Sequence, residues 1–230
     1  MEFKVELKGV KEALRTFDDV EKRELPFAMS KAINDTARLI RKAEVDTMQQ
    51  IFHKPTRWVL NSLFMRPSTK QRLQALVYFK DQAVGYMLPH VQGGTRPQKR
   101  SEKLLKTYWV PGRAARLNAY GNISPGQVVQ ILSATHKAYD PYSWTTARSR
   151  KKNPKPRDYF IVRHQRGRLF PGVWERHGKT KSPRPIIRFI GTPQYKRRFH
   201  FYEIAQKVAD ANLGRLFKEA MSYALSHPKF

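Results

Sequence analysis

Apolar residues recur three or four apart from Leu25 to Ile51, through Met29, Ala32, Ile33, Thr36, Ala37, Ile40, Ala43 and Met48. That spacing lines one face of an α-helix. Ser30, Lys31, Asp35, Arg38, Arg41, Lys42 and Glu44 mostly fall on the other side, so no charge is expected within the stripe. Pro26 suits a first turn, where its missing N–H costs nothing. From Phe27 to Ile51 the predicted helix is about 37 Å long at about 1.5 Å per residue. It crosses a small domain, and the rest of the chain has to cover its apolar face. His53-Lys54-Pro55 ends it, because proline disfavours helix at the residue before it. The stripe is one-sided and too polar to span a bilayer, which makes it a core helix.

The remaining elements follow from the same periodicities. Phe3, Val5 and Leu7 alternate with charged residues, a half-buried strand that Gly9 ends. Val10 to Val20 suits a short helix, and Thr56 to Phe64 another that buries Trp58, Val59 and Leu63. Leu73, Ala75, Val77 and Phe79 mark a second strand. From Pro89 the texture changes, and Gly93-Gly94, Pro111-Gly112, Gly121 and Pro125-Gly126 punctuate a long irregular region. Within it Ser124-Pro125 starts a short helix with Val128, Val129, Ile131 and Leu132 inward. Strands return at Asp158–His164, Leu169–Arg176 and Ile186–Ile190, with a polar connector at His177–Pro185. A second long helical stripe runs from Tyr195 to Leu225, through Tyr202, Ala205, Ala209, Phe217 and Ala220, and stops at His227-Pro228. The expected fold is α+β, an antiparallel or mixed sheet of about five strands packed against two long helices. Residues 1–89 and 158–230 form its core, and residues 90–157 a basic insertion or extended arm, part of it flexible in the isolated protein.

Charge narrows the partners. The 230 residues carry 45 Lys+Arg against 18 Asp+Glu, a net +27. Residues 93–200 hold 25 of the basic and only 4 of the acidic groups. Such a segment calls for a polyanion or an acidic protein surface nearby. A basic run, Arg148, Arg150, Lys151, Lys152, Lys155 and Arg157, is followed by Arg163, Arg166 and Arg168. These nine are the candidate contacts to DNA or an acidic partner. They suit phosphate contact, which positions DNA without reading its sequence. Tyr108, Trp109, Tyr120, Tyr139, Tyr142 and Trp144 interleave with the charge, suited either to stacking on single strands or to folding the insertion. Tyr159 and Phe160 sit in a strand and read as packing residues.

Catalytic patterns are missing. The chain has no cysteine, and its seven histidines include no pair three or four apart. Acidic residues of the middle are Glu102, Asp140, Asp158 and Glu175, too scattered in sequence to signal a two-metal centre. No P-loop, dinucleotide fingerprint or nucleophile elbow occurs. No enzyme, cofactor or metal is expected. The N-terminus lacks the apolar core of a signal peptide, and no run has the length of a membrane span.

Two segments resemble a known family. Leu25-Pro26-Phe27-Ala28-Met29-Ser30-Lys31-Ala32-Ile33-Asn34 is similar to the N-terminal region of the tailed-phage minor tail protein Z family. Val173-Trp174-Glu175-Arg176-His177-Gly178, followed by Pro183, Pro185, Ile186, Ile187 and Arg188, resembles the strand–turn–strand signature of phage tail-completion and neck proteins, with Lys179 where that family has Thr. The resemblance covers residues 1–80 and 158–228 by order of elements. It implies a structural virion protein that completes the head-proximal end of the tail and helps head–tail joining around the DNA path. It also implies a homo-oligomeric ring of six copies, neighbouring tail-terminator and neck or connector proteins, nonspecific contact with genomic DNA, and assembly in the host cytoplasm without a membrane. The residues themselves leave two alternatives, a freestanding sequence-nonspecific nucleic-acid-binding protein and a nuclease using Asp140, Asp158 or Glu175.

Overall fold

The computed structural model describes residues 1–6, 19–135, 147–152, 158–177 and 182–227. The expected Val10–Val20 helix lies mostly outside them, as do Tyr139, Tyr142, Trp144, Asp140, Lys155 and Arg157. The chain forms two compact units, residues 1–94 with 195–230, and residues 95–194.

The first unit joins β1 (Glu2–Glu6), α1 (Asp19–Ile51), α2 (Arg57–Leu60), β2 (Leu63–Arg66), β3 (Gln74–Phe79), α3 (Asp81–Gln92) and α7 (Phe201–Ser226). Its antiparallel sheet has the order β1-β3-β2. Val5, Ala75, Val77, Phe79 and Leu63 alternate inward and meet Ile33, Ala37, Ile40 and Met48 of α1. Phe199, Phe201, Ala205 and Ala209 close the same core from the α7 side. Further along the two long helices, Ala28 packs with Ala220 and Ala224, where three small side chains let the backbones approach.

The long helix departs from expectation in two ways. It spans Asp19–Ile51, so Pro26 lies inside it instead of in its first turn. Proline's φ is itself helical, so the cost is one missing hydrogen bond and local crowding. The apolar stripe also contains polar groups. Ser30 is buried because its hydroxyl lies 2.9 Å from that of Ser68, whose N–H donates to Asn34 Oδ1 at 2.8 Å. Glu44 is fully buried. Two further corrections follow from strand pairing. Leu63 and Phe64 belong to β2 and not to a helix, because Leu63 stands opposite Phe79. Trp58 is 52 % exposed, since the helix capped by Thr56 is a single turn. The helix α3, and the start of α7 only at Phe201, were not apparent from periodicity.

The second unit holds α4 (Arg100–Leu105), β4 (Tyr108–Pro111), α5 (Pro125–Thr135), α6 (Ala147–Lys152), β5 (Tyr159–Val162), β6 (Gly172–His177) and β7 (Ser182–Ile190). The strands pair antiparallel in the order β4-β7-β6-β5. A single sheet of about five strands was expected, but the described residues form two sheets, of three and four strands. The physical cause is Tyr108-Trp109, which pairs with Phe189-Ile190 and gives the last three strands a neighbour of their own. Leu105, Trp109, Ile131, Tyr159, Val173, Ile186 and Ile187 then build a separate core. Residues 158–194 thus share a unit with the basic segment. The glycines and prolines after Pro89 punctuate short elements here, among them α5, which starts at Pro125 behind Ser124 as expected.

Candidate nucleic-acid interface

Residues 95–194 carry 22 Lys+Arg against Glu102, Asp140, Asp158 and Glu175. The described carboxylates are already committed. Glu102 is buried and receives both Nη1 and Nη2 of Arg96 at 2.6 Å, together with the Lys99 N–H at 2.7 Å. Burial pushes its carboxyl up, but the Arg96 and Lys99 hydrogen bonds outweigh that and hold it below the usual carboxylate range. Asp158 pairs with Arg176 at 3.0 Å, and Glu175 is buried in its own strand. Most of the unit's described cations are exposed.

The β5–β6 edge gathers some of them. Phe160 stands opposite Trp174, and alternation puts Arg176 on the same face. The Arg176 guanidinium lies 4.4 Å from the Phe160 ring centroid. On that face Trp174 packs 4.7 Å from Phe170, and its indole N–H donates to the Phe170 carbonyl at 3.0 Å. After β5 the chain reverses through a tight turn in which Arg166 and Leu169 exchange backbone hydrogen bonds of 2.9 and 3.0 Å. Gly167, with φ of +57°, takes the left-handed position that this reversal needs. Arg168 sits exposed at the tip. A groove results, with Phe160, Leu169 and Pro183 as apolar wall and Arg163, Arg166 and Arg176 as cations. His164 and Gln165 also line it.

Its cations differ in freedom. Arg163 donates to the Leu105 carbonyl at 2.7 Å and lies 5.6 Å from the Phe189 ring centroid, so it ties the turn to the core. Arg166 and Arg168 have no carboxylate partner among the described residues and remain available to phosphate oxygens. Of the expected basic run, Arg148 and Lys151 are exposed on α6, three apart and on one face. Arg150 and Lys152 belong to the same helix. Neither Arg148 nor Lys151 lines the groove. The nine candidates are thus spread over α6 and the turn after β5, with Lys155 and Arg157 outside the described residues.

Periodicity missed Arg176, Phe160 and Pro183 as members of this surface, since only the β5–β6 and β6–β7 registers bring them together. The one available signal was the alternation Trp174, Arg176 opposite a strand beginning Tyr159-Phe160. Trp109 and Tyr159 are core residues, and Tyr120 is exposed. Tyr108 is half-buried, with its hydroxyl donating to the Arg96 carbonyl at 3.0 Å. Among the described residues no three His, Asp or Glu side chains converge as a metal site, and no helix is long and apolar enough to cross a membrane. Comparison of the chain with protein-family models, curated proteins and solved structures gives no match.

Proposed function

We propose that this is a structural protein of a tailed-phage particle, completing the head-proximal end of the tail and assisting head–tail joining. In this reading it forms a ring of identical subunits, six by the family resemblance, between tail-terminator and neck or connector proteins. The basic unit turns to the genomic DNA. One observation carries the DNA-facing role: the excess charge is concentrated in residues 95–194, whose few described carboxylates are internally paired or buried while Arg148, Lys151, Arg166 and Arg168 stay exposed. The virion setting is supported by the two resembling segments, which fall in α1 and in the β6–β7 hairpin. A groove with both aromatic and guanidinium walls also favours a second reading, a freestanding sequence-nonspecific nucleic-acid binder.

Replacing Arg148, Lys151, Arg166 and Arg168 together with Gln tests the DNA-facing role. These are exposed side chains, so the thermal melt stays near wild type. Each phosphate contact removed lowers the slope of log K against log salt by about one. An unchanged slope withdraws the DNA-facing assignment. Gold labelling of purified virions separates the two readings. Label at the head-proximal end of the tail supports the first, and particles without the protein leave the second.

A further inference from the structure

Between β4 and α5 the chain makes a short finger, residues 112–124, none of which lines the candidate groove. Its root is stitched to β7, where the Gly112 and Ala114 N–H groups donate to the Ile186 and Pro185 carbonyls at 2.8 and 2.9 Å. Leu117 and Ile123 pair antiparallel across it, and the Ser124 N–H donates to the Arg116 carbonyl at 2.9 Å. At the tip Asn118 Oδ1 accepts from the N–H groups of Tyr120 and Asn122, both at 3.0 Å. The Gly121 N–H closes the turn on the Asn118 carbonyl at 2.9 Å. Nearer the core, the Arg116 N–H donates at 2.7 Å to Oε1 of Gln127, a buried side chain of α5.

The loop is thus held in one shape by its own backbone, by β7 and by α5. What it presents is apolar: Leu117 is 53 % exposed and Tyr120 40 %. Large apolar side chains at the tip of a well-bonded projection bury no surface there, so they add nothing to the stability of the isolated chain. The charge beside them has one sign. No Asp or Glu stands between Glu102 and Asp140. Arg113 and Arg116 are exposed, and the Arg116 guanidinium donates to the neutral Gln130 Oε1 at 2.8 Å, which leaves its charge uncompensated.

We propose that this finger is a wedge for duplex DNA, with Leu117 and Tyr120 entering between base steps while Arg113 and Arg116 hold the flanking phosphates. Apolar side chains inserted in this way unstack a step and kink the duplex, and the adjoining cations offset the cost by contacting the backbone. Tyr120 supplies a ring on which a base stacks. An apolar pocket on another protein is the other occupant such a tip could take, but uncompensated arginines without a carboxylate nearby favour the polyanion. The inference rests on the DNA-facing reading of residues 95–194 and adds a mode of binding to it. The exposed cations of the candidate surface position the duplex, and the finger deforms it.

Energy transfer between dyes at the two ends of a short duplex, titrated with the full chain, tests the wedge. Wild type should raise the transfer, as a kink of about 20° or more brings the ends together. Leu117→Ser with Tyr120→Ser should abolish that rise and weaken binding by about fivefold or more, the worth of one base stacked on an aromatic ring. The slope of log K against log salt should not change, because no cation is removed. Tyr120→Phe keeps the ring and should bend the duplex like wild type. A thermal melt checks each fold, and Tyr120→Ser alone replaces the double variant if that melts early. Wild type that binds without raising the transfer, or a Ser variant that raises it equally, overturns the wedge and leaves the DNA-facing reading in place. Wild type that binds no duplex at all defeats both.

Discussion

Glu44 is where a single residue departs most from what its neighbours in the chain suggest. Its charge groups it with Lys42 on the polar side of α1, but it stands four residues from both Ile40 and Met48 on the buried stripe, its side chain is fully buried and both carboxylate oxygens lack a partner. Burial first, and then the charge of Glu203, push its carboxyl up to about 9, so it is neutral at pH 7. The unfolded chain ionises it from its ordinary value of 4.5. The folded state thus binds the proton more tightly, and this group's contribution to stability is highest below pH 4.5 and falls as pH rises towards 9. The slope is at most about 1.4 kcal/mol per pH unit. Glu44→Gln removes this titration. Its melting temperature relative to wild type should climb steadily in a pH series across that window. A difference that stays flat with pH would mean that Glu44 is ionised in the folded protein.

Among the elements, the β6–β7 hairpin holds the second unit together and carries the resembling motif. Gly172 sits opposite Arg188, where a Cβ would come within 2.1 Å of the Ile187 carbonyl oxygen. That oxygen is backbone and cannot swing aside. Gly172→Ala should therefore destabilise the unit by about 1–3 kcal/mol, as overpacking does. Hydrogen exchange should show lost protection in β5, β6 and β7 while α1 is unaffected; equal loss in both units would mean that they do not unfold separately. The strands of this hairpin were readable as strands from their β-branched and aromatic residues. Their partner β4 was not, since Tyr108-Trp109-Val110-Pro111 is short and ends in proline. The candidate surface was legible in the same partial way: its charge and Arg163, Arg166 and Arg168 stand in the sequence, but Phe160 and Arg176 meet only through strand register.

At the scale of the whole molecule, the second unit is a continuous segment inserted between Gly94 and Tyr195. Those two residues exchange backbone hydrogen bonds of 3.0 and 2.7 Å, so the ends of the insertion leave the first unit side by side. Excision is therefore geometrically simple. Joining Gly94 to Tyr195 through a short Gly-Ser link should leave a first unit that melts cooperatively, with α1 and α7 still covering its sheet. Residues 95–194 alone should keep the DNA affinity and salt slope of the full chain, because the exposed cations of the candidate surface lie there. Strong, salt-dependent DNA binding by the excised first unit would place the interface elsewhere.

Local order in the chain was enough for the helical stripe of α1, the alternation of β3, the start of α5 at Ser124-Pro125 and the concentration of charge in the middle. Each depends on residues a few positions apart, and helix or strand periodicity records which of them share a face. Tertiary structure decided which sheet each strand joined, that the Glu44 carboxyl would be held neutral in the core, and that Phe201 instead of Tyr202 would face it. It also decided that the basic segment would have a core of its own. These outcomes rest on contacts between residues far apart in sequence. A strand's own pattern names the face it buries but not the partner beside it, and a helix face tolerates a charge when the surrounding core outweighs the cost of keeping it neutral.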